Sequence, residues 1–239
     1  MMTVLITGAS SGIGQGLAKS WADDGCQVIA CGRDAARLEA LRLYSPRISV
    51  RQFDMTDADA CRDALAGSHA DLVVLCAGTC EYLNQGLLIP ALVERVMCTN
   101  FLGPVNCLAA VQSELQPGNR VVLVSSMAHW LPFPRAEAYG ASKAALSWFA
   151  DSLRLDWAPK GIAVTVVFPG FVDTPLTRKN DFAMPGRVSV EQAVRAIRRG
   201  VAKGQRQIVF PRGFGLALRL LASLPGVLQH ALLRRMVRP

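Results

Sequence analysis

The sequence is poor in the residues that build metal sites and lacks the long apolar runs that cross membranes. It has three histidines and seven cysteines, with no C-x-x-C motif, so no metal site is predicted. The cysteines are interpreted as reduced, buried thiols of a cytoplasmic protein. No window reaches about 18 uninterrupted apolar residues, so no membrane-spanning helix is expected. The first residues also lack the basic segment of a secretory signal.

Acidic residues are absent from the end of the chain. The last is Glu191, and ten basic residues follow it, whereas residues 1–191 hold 16 basic and 18 acidic residues. The net charge of +8 therefore belongs to the C-terminal region. From residue 212 the chain is rich in leucine and arginine, and it is split at Pro225-Gly226.

These features divide the chain into a catalytic domain, residues 1–211, and a basic, leucine-rich helical extension, residues 212–239. The extension is interpreted as a peripheral membrane contact at the inner face of a membrane, as a lid over the site, or as helices packed on the core or a neighbouring copy. It has few aromatic residues, so nucleic-acid binding is not expected.

Short apolar runs alternate with helical patterns along the chain, of which 51% is apolar and 18% charged. Strands are predicted at residues 2–7, 28–31, 48–53, 71–75, 120–125, 162–168 and 208–210. Helices are predicted at 13–24, 34–43, 57–66, within 88–115, at 137–158 and at 189–203. This alternation predicts an α/β fold, a doubly wound, mostly parallel seven-stranded Rossmann sheet with helices on both faces.

A glycine-rich turn, Thr7–Gly14, joins the first strand to the first helix. Gly8 permits a tight turn, Gly12 a close approach to a pyrophosphate, and Gly14 close packing of helix on strand. The helix N-terminus attracts phosphate, and the remaining residues of the predicted cradle are Ser10, Ser11 and Ile13. The same residues match the G-x-S-x-G motif of hydrolases. That alternative is disfavoured because the hydrolase motif needs several strands before it to supply the oxyanion loop, and only seven residues precede Gly8.

A second cluster carries acid–base chemistry. Tyr139 and Lys143 are four residues apart on a predicted helix and so share a face. The ammonium is expected to lower the pKa of the phenol. Ser126 follows a strand, at the end where α/β sheets bind ligands, and its hydroxyl can donate to a carbonyl oxygen.

Together these motifs resemble the short-chain dehydrogenase/reductase family, in its single-domain Rossmann form. The resemblance runs from Thr3 to about Phe210 and includes T-G-x-x-x-G-I-G, Asn100, Y-G-A-S-K and Pro169-Gly170. It implies that Tyr139 is the acid/base and that Lys143 lowers its pKa and holds the nicotinamide ribose. Ser126 would polarise the carbonyl, and Asn100 would keep a helix open for a relay water.

The resemblance also implies the remaining contacts with a nicotinamide cofactor. Asp54 and Met55 would contact the adenine, the backbone near Val172 the nicotinamide amide, and Thr174 the pyrophosphate. Ala77 and Gly78 allow close approach of the backbone. The chain departs from the family's N-A-G motif there, because Cys76 replaces the Asn; this affects stability more than chemistry.

The end of the second strand predicts NADP rather than NAD. NAD enzymes place a carboxylate there for the ribose 2′-hydroxyl, but this position falls on Gly32. The glycine leaves room for a 2′-phosphate, which Arg33 can bind. Asp34 is expected to cap the next helix.

The substrate side predicts only a chemical class, a hydrophobic alcohol or carbonyl compound. His129 is expected to be a pocket wall or surface residue. The residues expected to form an apolar pocket, under a short lid between Val172 and Pro185, are Met127, Ala128, His129, Trp130, Leu131, Phe133, Phe171 and Leu176.

The long helix is apolar on more than one face, with Leu146, Trp148, Phe149, Leu153 and Trp157. Together with the family resemblance, this predicts a homodimer or homotetramer. The function expected is an NADP-dependent oxidoreductase that transfers hydride between the nicotinamide and its substrate. The alternative is a non-catalytic NADP-binding regulatory protein.

Overall fold

A seven-stranded sheet forms the centre of the structure, a computed structural model that describes residues 1–235. All neighbouring strands are parallel, in the order β3-β2-β1-β4-β5-β6-β7. The strands are β1 (Thr3–Thr7), β2 (Gln27–Gly32), β3 (Ile48–Gln52), β4 (Leu72–Leu75), β5 (Arg120–Val124), β6 (Ala163–Pro169) and β7 (Gln207–Phe210). Residues 236–239 of the expected extension, with Arg238, lie outside the described residues.

Helices cover both faces of this sheet. They are α1 (Gly12–Asp23), α2 (Ala35–Tyr44), α3 (Ala58–Leu65), α4 (Pro90–Met97), α5 (Gly103–Val111), α6 (Glu137–Trp157), α7 (Val190–Ala202), α8 (Arg212–Ala222) and α9 (Gly226–Arg234). Along β5, Val122 and Val124 pack with α1, α2 and α7, whereas Val121 and Leu123 pack with α3, α5 and α6. Side chains alternate between faces because a strand has a period of two. The predicted doubly wound α/β fold is confirmed.

The helix expected within 88–115 is divided. Helix α4 is followed by a π-helical turn, Cys98–Leu102, and then by α5. A π-helical turn widens a helix and occurs often at functional sites. By contrast, the helix predicted at 189–203 has the expected start, since Ser189 and Gln192 form a capping box.

The C-terminal extension packs on the core through one side of each helix. Leu218 of α8 and Leu233 of α9 are buried in the same apolar cluster as α5 and α6. The described part of the extension therefore includes helices packed on the core, which is one of the three alternatives expected. Its treatment as a unit separate from residues 1–211 stays a prediction. Within residues 1–235, no helix is long and apolar enough to cross a membrane.

Candidate active site

A cleft of about 450 Å³ lies at the carboxyl ends of β1, β4 and β5. The winding of the sheet reverses between β1 and β4, and open parallel sheets bind ligands at such a point. All the residues predicted to contact the cofactor line this cleft: Gly8, Ser10, Ser11, Gly12, Ile13, Gly14, Arg33, Asp54, Met55, Ala77, Gly78, Tyr139, Lys143, Pro169, Gly170, Val172 and Thr174. Ser126 lines the cleft as well, whereas Asn100 does not.

The glycine-rich turn places the start of α1 against the end of β4. Gly8 has a φ of 69°, and a Cβ there would lie 2.7 Å from the Ala77 Cα. A Cβ on Gly14 would collide with the carbonyl of Gly8. The first turn of α1 holds no acidic residue, so its free N–H groups keep their positive potential. The cradle therefore fits a pyrophosphate.

The backbone at Cys76 and Ala77, where the sequence departs from the family motif, is held by a residue of β1. The buried Thr7 hydroxyl accepts hydrogen bonds from the Cys76 and Ala77 N–H groups, at 3.2 and 3.3 Å. Burial raises the pKa of the Cys76 thiol to about 12, so this side chain is neutral. A threonine thus secures the end of β4 in a chain that lacks the usual Asn.

Two arginines stand at the far end of the cleft. Arg33 follows Gly32 and lies 3.4 Å from Asp54. Arg37, which sequence reasoning missed, also lines the cleft and pairs with Asp34 at 3.1 Å. The signal for Arg37 was its position in the first turn of α2, since Asp34 caps this helix as predicted. Two guanidinium groups and a glycine at the end of β2 suit a phosphate better than a hydroxyl.

Asn100 lies fully buried in the π-helical turn. Its side-chain amide spans three groups: Oδ1 accepts from the Thr79 N–H at 2.8 Å, and Nδ2 donates to the Thr79 carbonyl and the Ser142 hydroxyl, both at 2.9 Å. A Cβ on Gly78 would lie 3.2 Å from Asn100 Oδ1 and 3.3 Å from Lys143 Nζ. Gly78 therefore lets these two side chains converge.

The Lys143 side chain, which extends from α6, is held at the cleft by the end of β5. Its ammonium donates to the Val124 carbonyl at 3.0 Å and lies 5.8 Å from the centre of the Tyr139 ring. Burial lowers the pKa of Lys143 to about 8. Its main-chain carbonyl accepts hydrogen bonds from Ser125 and Ser147, at 3.0 and 2.7 Å. Ser125, at the end of β5, joins the Lys143 backbone to the strand, and Ser147 binds both from within α6; sequence reasoning missed both serines.

The pKa of Tyr139 moves opposite to the predicted direction. Burial raises it, proximity to Cys80 raises it further, and a hydrogen bond with Ser126 lowers it. Burial outweighs any effect of Lys143, whose ammonium points to the backbone of β5. The phenol is therefore protonated at neutral pH, and it stands ready to donate a proton rather than to accept one.

The sequence motifs thus meet in one cleft, and the comparison with known families agrees. The family model described as short chain dehydrogenase matches residues 2–184. The chain belongs to the short-chain dehydrogenase family. The matched region includes the glycine-rich turn and the four residues Asn100, Ser126, Tyr139 and Lys143.

Relatives of this chain cover most of its length. An uncharacterized oxidoreductase of Myxococcus xanthus is 37% identical over 98% of this chain and 97% of its own. The 11-beta-hydroxysteroid dehydrogenase A of Sesamum indicum is 33% identical over 88% of this chain and 68% of its own. A solved short-chain dehydrogenase from Sphingobium yanoikuyae, in complex with NADPH, is 26% identical, with a TM-score of 0.79 over 95% of this chain and 97% of that one.

Most of the residues predicted to form an apolar pocket do not line this cleft. Of the eight, only Leu176 lines the cleft. Met127 and Leu131 are buried in the core, and Trp130 and Phe133 pack against it. The reason is helix α8, because Gly215 and Phe214 occupy the space beside Met127 and Phe171.

His129 is neither a wall of the cleft nor a surface residue. It is half-buried, and its ring stacks on Phe168, with 4.6 Å between the ring centres. Burial lowers the pKa of His129 to about 4, so the imidazole is neutral. The prediction for this residue was wrong because the turn after Ser126 directs the ring into the core.

The segment predicted to be a lid, between Val172 and Pro185, is joined to distant parts of the chain. Residues 170–189 lie between β6 and α7, and two contacts join them to distant segments. The Tyr82 hydroxyl donates to Asn180 Oδ1 at 2.9 Å, and Arg135 pairs with Asp181 at 2.9 Å. The Tyr82 ring also meets Phe182 edge to face. The segment is therefore held in place by polar and aromatic contacts.

Proposed function

We propose that this chain is an NADP-dependent oxidoreductase that transfers hydride between the nicotinamide and a hydrophobic alcohol or carbonyl compound, with Tyr139 as the acid/base. The observation that carries the proposal is the convergence of Ser126, Tyr139 and Lys143 on the same cleft as the glycine-rich turn. In carbonyl reduction the bound cofactor supplies the hydride, and the chain must hold the carbonyl and deliver a proton.

The residues divide these tasks. Ser126 donates a hydrogen bond that orients the carbonyl oxygen, and Tyr139, protonated at neutral pH, transfers its proton to that oxygen. Lys143 would hold the ribose hydroxyls of the bound cofactor, and its ammonium would compensate the charge left on Tyr139. Asn100 fixes the π-helical turn and, through Ser142, the helix that carries Tyr139, since Ser142 Oγ donates to the Tyr139 carbonyl at 2.7 Å.

NADP is favoured over NAD by the chemistry around Gly32. Gly32 holds the position where NAD enzymes place a carboxylate, and Arg33 and Arg37 line the cleft beside it. The Sphingobium yanoikuyae relative is a complex with NADPH. Both observations support a cofactor with a 2′-phosphate.

The substrate class is favoured by the apolar character of the predicted lid and by the relatives. Leu176 lines the cleft, and Phe171 packs on Phe182 behind it, at 6.0 Å between ring centres. An apolar segment of this kind suits a hydrophobic alcohol or carbonyl. The Sesamum indicum relative is named for a hydroxysteroid, which belongs to this class.

The catalytic role is tested with Tyr139→Phe. We expect turnover of a panel of aliphatic, aromatic and steroid carbonyls with NADPH to fall by about 10²–10⁴-fold, because the proton donor is lost. NADPH affinity measured by fluorescence titration should stay within a few-fold. Tyr44→Phe, a substitution on the exposed face of α2, is the matched control. An unchanged cellular function in Tyr139→Phe would favour the non-catalytic regulatory protein instead.

The cofactor preference is tested with Arg33→Ala. Loss of a charge-assisted hydrogen bond to the 2′-phosphate should raise the KM for NADPH roughly 10- to 100-fold and leave the KM for NADH nearly unchanged. Arg62→Ala is the control, since Arg62 is 68% exposed against 69% for Arg33 but lies outside the cleft. Equal effects on both cofactors would contradict the assignment.

We further propose a homodimer or homotetramer of cytoplasmic location. Trp148 and Leu155 stay largely exposed on α6, although Leu146 and Trp157 of the same helix are buried. An unpartnered apolar face on a long helix suits pairing with the same helix of a second copy.

The proposed cytoplasmic location rests on the cysteines, which are free thiols, three of them buried among apolar residues.

A further inference from the structure

The C-terminal helices expose a concentrated set of apolar side chains. Of the sixteen large apolar side chains that are exposed in the described chain, six fall within residues 216–232. We call this set the tail face, and it consists of Leu216, Leu220, Leu224, Val227, Leu228 and Leu232. Single exposed leucines are common on soluble proteins, but six large apolar side chains exposed on two consecutive short helices indicate an interaction surface.

The tail face points away from the protein because the opposite sides of both helices are already used. Gly215 and Leu218 of α8 are buried on the core, as is Leu233 of α9. Leu216 and Leu220 are one helical turn apart and therefore share the outward side of α8. Burial of the inner face leaves these outer leucines without a partner in the described residues.

Positive charge surrounds the tail face. Arg212, Arg234 and Arg235 are exposed at the two ends of the helix pair, and no acidic residue follows Glu191. A second copy bound through the same surface about a two-fold axis would set arginines against arginines with no carboxylate of the extension to pair them. The surface therefore calls for a partner that is both apolar and anionic.

We propose that the tail face binds the surface of an anionic phospholipid membrane. Helices α8 and α9 would lie in the plane of the interface, with the leucines inserted roughly 5–10 Å and the arginines among the phosphates. At 11 and 9 residues these helices cannot span a bilayer, so the contact is peripheral. This proposal is independent of the proposed redox activity, because it needs neither cofactor nor turnover.

The test is co-sedimentation of the full-length protein with sucrose-loaded vesicles. One set of vesicles is pure phosphatidylcholine, and the other contains 30% phosphatidylglycerol. We expect partitioning into the anionic vesicles at least about 10-fold stronger than into neutral ones, and weaker as salt is raised. Equal partitioning into both vesicles, or none into either, would overturn the proposal.

Variants separate the tail face from the rest of the surface. Leu220→Glu should weaken binding to anionic vesicles by at least about 10-fold, because it removes apolar insertion and adds a repelled charge. The pair Arg234→Gln and Arg235→Gln should weaken it about 25-fold, at roughly five-fold for each arginine. Leu43→Glu carries the same charge change at a 74% exposed site on α2 and should bind like the wild type.

Two further outcomes would contradict the proposal. Wild-type binding in Leu220→Glu would show that the helices do not insert. A smaller sedimenting species in Leu220→Glu, without vesicle binding by the wild type, would assign the tail face to contact between copies of the chain. Thermal melting of each variant serves as the folding check, and because the substituted side chains are exposed, Tm should not move.

Discussion

Replacing Lys143 with methionine should make the cofactor-free protein more stable while abolishing its activity. Lys143 is 4% exposed, and burial lowers its pKa from 10.5 to about 8. A lowered pKa means that the folded protein holds the ammonium less favourably than the unfolded chain does. Methionine has a similar length and carries no charge, so it removes this unfavourable term.

The magnitude follows from the two pKa values. Below pH 8 the lysine is protonated in both states, and the difference between 10.5 and about 8 corresponds to about 3 kcal/mol of lost stability. The variant also leaves the Val124 carbonyl without its donor, which costs about 1 kcal/mol. At pH 7 the Lys143→Met protein should therefore be more stable than the wild type by about 2 kcal/mol.

The pH dependence separates this cause from a change in packing. Between the folded and unfolded pKa values the unfolded wild type binds more protons, so wild-type stability rises with pH in that window. The advantage of Lys143→Met should shrink by about 2 kcal/mol between pH 7 and pH 9.5. Urea unfolding of the cofactor-free proteins measures it, with Lys160→Met, on the surface, as the control. A stability difference that is the same at both pH values would refute this reasoning.

Two other substitutions test the turn and the assembly. Gly14→Ala should abolish NADPH binding in a fluorescence titration, because its Cβ meets the Gly8 carbonyl, whereas Gly213→Ala, with open space around its Cβ, should bind normally; normal binding by Gly14→Ala would contradict the close contact. Trp148→Glu, at an 80% exposed site, should reduce the oligomer to monomers in sedimentation velocity at micromolar concentration, and Leu43→Glu should not. A wild-type monomer would refute the proposed assembly.

The cofactor end of the site was predictable because its signals are local. Gly14 and Asp34 each act within a few residues of their own position, at a helix start or in a cap, and the positive φ of Gly8 is the mark of a tight turn. Tyr139 and Lys143 share a helix, so their spacing alone places them on one face. Glycines and hydroxyl-bearing residues also follow the carboxyl ends of the buried parallel strands, so the sequence indicates where these strands end.

The serines around Lys143 were not predictable in this way. Ser125 directly follows β5 and Ser147 lies on α6, and their hydroxyls are 2.7 Å apart. In the sequence, neither serine can be distinguished from an ordinary small residue. Their role depends on the crossing of a helix and a strand that are 22 residues apart, which no local pattern encodes.

The sequence by itself determined the α/β architecture and the turns that border the cleft, because hydrophobic periodicity and glycine position fix strands, turns and helix starts locally. Only the tertiary structure decided what lies beside Ser126. The residues that follow it are apolar in sequence, which suits a pocket and a core equally well. Helix α8, some eighty residues later, covers Met127 and turns that surface into core. Burial likewise reversed the expected change in the Tyr139 pKa, because desolvation depends on every element packed around a group rather than on its neighbours along the chain.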